Sequence, residues 1–227
     1  MVAVAASAPA AAVTILNFGY LGSSNAVQSS VAKVDQGVTL TAEARRFIIT
    51  PSLLLNISDF TVGSLRTGPQ GLGVNSGSLN ATLDTNTNSR EAILLTGSRT
   101  LRLSGAVLNA LTNADTLQVF GVNPTNGKLI SLGYGGTIRT GLGGAATFVN
   151  SAVNGNTTAL TFISPPPAFT QFVLTTRLDG FSGATRQDYR IASLSFAIPE
   201  PQTWALMIIG FGLVGVASRR RKVVVAA

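Results

Sequence analysis

The chain has no cysteine and no histidine. Without cysteine there is no disulfide framework and no thiolate nucleophile. Without histidine there is no imidazole base, no His-containing triad and no His-ligated zinc. Charge is scarce as well: 11% of the 227 residues are charged, with nine acids in all. Aromatic surface is thin, since the chain holds one Trp and three Tyr. A protein built this way is held by its apolar core alone, and imidazole- and thiolate-based catalysis is closed to it.

The net charge of +7 overstates the basic character of the body. Four cations, Arg219, Arg220, Arg221 and Lys222, stand together near the C-terminus. Without them and Glu200, the rest of the chain carries 12 cations against 8 acids. These 12 are scattered, with no basic stripe interleaved with aromatics, so nucleic acid is not an expected partner. A loose attraction to acidic polysaccharide is compatible with such a surface.

Residues 13–198 are rich in Gly, Ser, Thr, Asn, Val and Leu. Short apolar or alternating runs are broken by turn residues, the pattern of a sandwich or barrel. The expected fold is all-β, a single β-sandwich or jelly-roll-like domain. Expected strands include Val13–Tyr20, Val38–Thr41, Phe47–Thr50, a longer Leu53–Leu65, Leu79–Leu83, Ala92–Leu95 and Arg99–Ser104. Thr116–Val122 and Lys128–Tyr134 flank Asn123-Pro124-Thr125-Asn126-Gly127, a hairpin signal. Thr157–Ile163, Phe169–Leu178 and Tyr189–Ala197 complete the set, with Leu194 and Phe196 on the inward face of the last. A short helix is expected at Ala106–Leu111, and a glycine-rich loop at Gly135–Gly144.

Little in this domain promises chemistry. The acids Asp35, Glu43, Asp59, Asp84, Glu91, Asp115, Asp179 and Asp188 show no spacing that pairs two carboxylates across a cleft, as a glycosidase needs. Asp179 and Asp188, flanking a short loop, are the nearest approach to such a pair. Asp84-Thr85-Asn86-Thr87-Asn88 alternates oxygen side chains but lacks the glycine and distal glutamate of a calcium loop. No G-x-S-x-G elbow and no phosphate-binding loop occurs. The expectation is therefore no enzyme, no catalytic residue, no metal and no cofactor. Two other readings stay open: a carbohydrate-binding module using Tyr20, Tyr134 or Tyr189, and a carboxylate-dependent hydrolase.

The two ends of the chain say more. Residues 1–12, MVAVAASAPAAA, are small and apolar, and Ala8-Pro9-Ala10 and Ala10-Ala11-Ala12 offer small-x-small cleavage patterns. They are expected to be the remnant of a signal peptide or an Ala-rich leader, with the mature chain starting near Ala11–Val13. At the other end, Pro199-Glu200-Pro201 precedes an uncharged run from Trp204 to Ser218 and then the four cations. The expected transmembrane helix covers residues 203–218. As a helix, Trp204–Ser218 spans roughly 22 Å, short against a bilayer core of about 30 Å. Snorkelling cations and local thinning make up the difference. Trp204 is placed as an interfacial aromatic, and Arg219–Lys222 should remain on the cytoplasmic side. Pro199 and Pro201 donate no backbone hydrogen bond and bias their neighbours toward extended structure, which suits a protease cleft.

This segment resembles the PEP-CTERM sorting domain, in the variant with Trp-Ala after the signature. The residues that carry the resemblance are Pro199, Glu200, Pro201, Trp204, Ala205, Leu206, Met207, the stretch Gly210-Phe211-Gly212, Gly215 and Arg219–Arg221. The resemblance implies a sorting tail at residues 199–227 read by exosortase, a membrane-embedded cysteine protease or transpeptidase. It further implies export, transient retention in the inner membrane, cleavage near the signature, and delivery to the envelope or extracellular matrix. A structural or adhesive role in exopolysaccharide or biofilm is the associated expectation.

Overall fold

The computed structural model describes residues 13–17, 26–48, 56–74, 83–84, 90–109, 116–136, 148–154, 157–162, 166–176, 188–198 and 208–216. The body is all-β, as its composition predicts. In chain order the strands are β1 (Val13–Asn17), β2 (Ala26–Gln28), β3 (Ser30–Asp35), β4 (Val38–Phe47), β5 (Thr61–Val62), β6 (Leu65–Gly68) and β7 (Gly71–Val74). Then come β8 (Leu83–Asp84), β9 (Arg90–Asn109), β10 (Thr116–Val122), β11 (Leu129–Gly136), β12 (Phe148–Asn154), β13 (Thr157–Phe162), β14 (Phe169–Thr176) and β15 (Asp188–Ala197). Among the described residues, one 3-10 turn, at Ile57–Asp59, interrupts them.

Hydrogen bonding joins all 15 strands in one sheet, along β11-β10-β14-β9-β15-β7-β6-β2 with the remaining strands attached beside that path. An open sheet of more than about ten strands curls or splits. Here β9 does the curling. Its first half pairs with β4 and β14, and its second half with β13 and β15. Phe172 is the register partner of Leu95, and Phe196 that of Leu103. Eight residues of straight strand would separate those positions by roughly 26 Å. The two phenyl rings nevertheless lie 5.7 Å apart. The sheet therefore doubles back at β9, and two faces of the same sheet enclose one core.

The corner falls at Gly97–Leu101, where Ser98, Arg99 and Thr100 are exposed and Leu101 is buried again. A Cβ on Gly97 would stand 2.9 Å from both the Arg99 carbonyl and Leu101 Cδ1, so the tight path needs glycine. The turn between β3 and β4 secures the corner. Arg99 Nη2 donates to Gly37 O at 3.0 Å, and Thr39 N donates to Ser98 Oγ at 3.0 Å.

The core between the two faces takes Leu40, Ile93, Leu95 and Phe172 from one side and Leu72, Leu108, Leu194 and Phe196 from the other. A second, smaller cluster lies on the outer side of β4, β9, β10 and β14, where Phe47, Ala92, Leu94, Phe120, Val122 and Val173 pack with Phe60. The 3-10 turn covers it. Asn56 caps that turn, Ile57 N donates to Gly127 O at 3.0 Å, and Asn56 Nδ2 donates to Asn126 O at 2.8 Å. The expected hairpin is thus present, with Gly127 at φ +69°, and its turn also anchors the covering loop.

Several expected elements are corrected. Ala106–Asn109 is strand, not helix, because β13 and β15 pair with it on both sides. Ala92–Leu95 and Arg99–Ser104 are two parts of one strand, β9. Phe47 ends β4 rather than starting a new strand. The long strand expected at Leu53–Leu65 is replaced, over its described part, by the 3-10 turn, β5 and the first residue of β6. Gly135 and Gly136 of the expected glycine-rich loop belong to β11, and residues 137–144 lie outside the described ones. The body, Ala12–Ile198, forms one compact unit, and Pro199–Ala227 falls outside it.

Candidate sorting site and the strand that leads to it

Pro199, Glu200, Pro201, Trp204 and Ala205 lie outside the described residues, as do Arg219, Arg220, Arg221 and Lys222. The structure describes what flanks the signature on either side.

Downstream, residues 208–216 form an α-helix of isoleucine, glycine, phenylalanine, leucine and valine, with every residue exposed. Nine residues extend about 13 Å. Three of them are glycines, each costing about 1 kcal/mol in a helix relative to alanine. A helix this short is marginal in water even with good helix formers. In hydrocarbon the balance reverses, since backbone groups there must bond within their own segment. No helix among the described residues is long and apolar enough to cross a membrane. The ends of the expected span, 203–207 and 217–218, lie outside the described residues.

Upstream, β15 runs to the edge of the signature. Leu194 and Phe196 point inward, 1% and 0% exposed, as the alternation predicts. Tyr189 and Ile191 are buried as well, although they have the opposite parity. The register slips between Ile191 and Ser193, so a bulge at Ala192 turns both sets of side chains to the same side. Ala197 has a strand partner on each flank, Val13 of β1 and Arg102 of β9. Ile198 is buried. The last residue before Pro199 therefore belongs to the folded body. This placement of β1 beside the end of β15 is the feature that the sequence did not disclose.

Tyr189 fastens the other end of β15. Its hydroxyl donates to the Thr175 carbonyl on β14 at 2.8 Å, across the interior between the two faces. Removing the hydroxyl leaves a buried carbonyl without that donor, a loss of about 1–3 kcal/mol. Tyr189→Phe is accordingly expected to lower the urea midpoint without changing the slope of the transition. An unchanged midpoint would show that this bond contributes nothing net.

The same burial bears on the carbohydrate-module reading. Tyr134 is 4% exposed and Tyr189 0%, so neither offers a face on which a sugar could stack. Tyr20 lies outside the described residues.

Three of the described acids, Asp59, Glu43 and Glu91, have separate structural employments. Asp59 accepts from Asn56 N at 2.9 Å in the capping box of the 3-10 turn. Glu43 pairs with Arg45, two residues away on β4. Glu91 is buried, with Arg46 at 3.8 Å on the neighbouring strand. Next to it, burial holds the Arg90 guanidinium below its ordinary pKa; it stays charged, as guanidinium does in proteins. Asp188 is the backbone register partner of Asp84 in the β8–β15 ladder, while Asp179, its expected neighbour, lies outside the described residues. Among the described residues no group of three His, Cys, Asp or Glu is placed to hold a metal ion. A cleft of about 550 Å³ opens between β2 and β5, lined among the described residues by Val27, Gln28, Ser29, Arg46, Val62, Gly63 and Ser64. It has no carboxylate in that lining, so the paired acids of a glycosidase are not assembled there.

No curated protein and no solved structure matches the chain. One protein family does, over residues 197–222: the PEP-CTERM protein-sorting motif. The match begins inside β15, at Ala197, and ends on the last cation of the basic cluster. The motif implies processing by an exosortase, a membrane protein. The chain thus carries a PEP-CTERM protein-sorting motif joined without a spacer to the last strand of an all-β body.

Proposed function

We propose that this chain is an exported, non-enzymatic protein of the cell envelope or extracellular matrix, delivered by exosortase-type sorting. The observation that carries the proposal is the sorting motif at residues 197–222. Residues 203–218 act as the transient inner-membrane helix, Arg219–Lys222 hold the cytoplasmic side, and the body stands on the outer side. Pro199, Glu200, Pro201, Trp204 and Ala205 are the residues the enzyme reads. The body, with its doubled sheet taken as a β-sandwich, serves as a structural or adhesive component among exopolysaccharide. The support for that role is its apolar, sparsely charged build, with Asp59 engaged in a cap and Glu43 and Glu91 in ion pairs. The buried Tyr134 and Tyr189 weigh against a dedicated sugar-stacking module.

Intact mass of the protein recovered from its native host, after separation into membrane and medium, tests the proposal. The expected species ends at about residue 199–203 and lies outside the inner membrane. A full-length C-terminus retained in the inner membrane would show that the tail is a plain anchor.

A further inference from the structure

We propose that β1 is a latch over the processing segment, and that the sorting enzyme gains its substrate by taking the place of β1 along the end of β15. The proposal rests on the exosortase reading above and adds to it the part of the body that controls access.

The sorting motif begins at Ala197, and Ala197 is still in the sheet. The residues just before the signature are paired on both sides. Ser193 to Ala197 lie against β9 on one flank, through Val107 to Arg102. On the other flank they lie against β1, in the register Val13↔Ala197, Ile15↔Ser195 and Asn17↔Ser193. An extended substrate is commonly bound by main-chain pairing along one strand edge. Both edges of this segment are taken. The β9 flank belongs to the strand that organises the whole core, and freeing it would dismantle the body. The β1 flank is different. Among the described residues β1 pairs with β15 and with no other strand. It is five residues long. Of its side chains, Leu16 is buried and Asn17 is exposed. Removing β1 uncovers one edge of Ser193–Ala197 while leaving β15 held by β9. A strand from the enzyme can then pair where β1 was.

The absence of cysteine makes the test direct, because an introduced pair has only one disulfide to form. Register partners in an antiparallel ladder have Cα atoms about 4.5–5.5 Å apart, within the disulfide range of about 4.4–6.8 Å. Full-length protein carrying Ile15→Cys with Ser195→Cys is followed by pulse–chase in the native host, beside wild type and the two single-cysteine variants. Disulfide formation is read by thiol alkylation and mass. The expected result is processing at least tenfold slower in the cross-linked protein, with the single variants at the wild-type rate. Cross-linked protein processed at the rate of the single variants would overturn the latch. If wild type itself is never shortened in this host, the sorting reading has failed, which is a separate outcome. Ile15→Pro gives the opposite arm, since proline removes a donor from the latch strand. It is expected to speed processing severalfold, and an unchanged rate counts against the latch.

Discussion

Full-length precursor in the membrane fraction, with no shortened species, is the expected state of a variant in which Pro199, Glu200 and Pro201 are all alanine. Pro199 and Pro201 donate no backbone hydrogen bond and bias the residues before them toward extended backbone. Alanine reverses both properties. It is the best helix former, and proline lies about 3 kcal/mol below it in a helix interior. The apolar helix at residues 208–216 is then free to propagate back toward the body, where each added residue gains a hydrogen bond once a nucleus exists. An enzyme that reads an extended segment finds a helix instead, and the charge of Glu200 is gone. The body is untouched, since the compact unit ends at Ile198, so its melting temperature is expected to stay at the wild-type value. Pulse–chase and intact mass read the result. Appearance of the shortened species at the normal rate would remove the sorting proposal.

Gly71→Ala is expected to destabilise the body by about 4 kcal/mol, through about 1–3 kcal/mol of backbone strain and a similar cost of overpacking. Gly71 opens β7 at φ +123°, a conformation that side chains other than glycine rarely adopt. A Cβ there would also lie 2.3 Å from the Ile191 carbonyl oxygen and 2.9 Å from Ala192 Cα. Both obstacles are backbone atoms of β15 and cannot rotate aside. They sit at the bulge that sets which residues of β15 face the core, so relief by movement would shift Ile191 and Leu194 together. For a domain of this size the loss corresponds to a fall of about 8–16 °C in melting temperature. A fall of under 3 °C would mean that β7 moves away from β15 at little cost.

The outline of the protein was legible because its strongest signals are local. Asn123 to Gly127 closes the β10–β11 hairpin through short-range bonds: Gly127 N donates to Asn123 O at 2.9 Å and Lys128 N to Asn126 Oδ1 at 3.0 Å. The tail was legible for the same reason, since its proline signature, apolar run and cations follow one another directly. β4 and β9 were misread because distant pairing overrides residue preference. Ala42, Glu43 and Ala44 are poor strand formers, yet β9 pairs with all three, and the alanines fill the core side. Ala106, Val107 and Leu108 suit a short helix, but each has a strand partner on both flanks. The position of β1 was illegible in principle. Its alternation announces a strand, but no local feature says that its partner lies at the opposite end of the chain.

That partnership has a bearing on secretion. The strand that closes the body is the last one made, and it occupies the middle of the sheet. β1, β7 and the second half of β9 all pair with β15, so each has an open edge until residues 188–198 have crossed the export channel. Pairing across such distances is slow, because the loop entropy is lost before the contacts form. A polypeptide threaded from its first residue onward is thereby kept loose until the final strand arrives. On the proposed export route, the arrival of that strand coincides with the apolar tail reaching the bilayer. On that route, translocation arrest and closure of the fold become one event, timed by where in the chain the last strand is encoded.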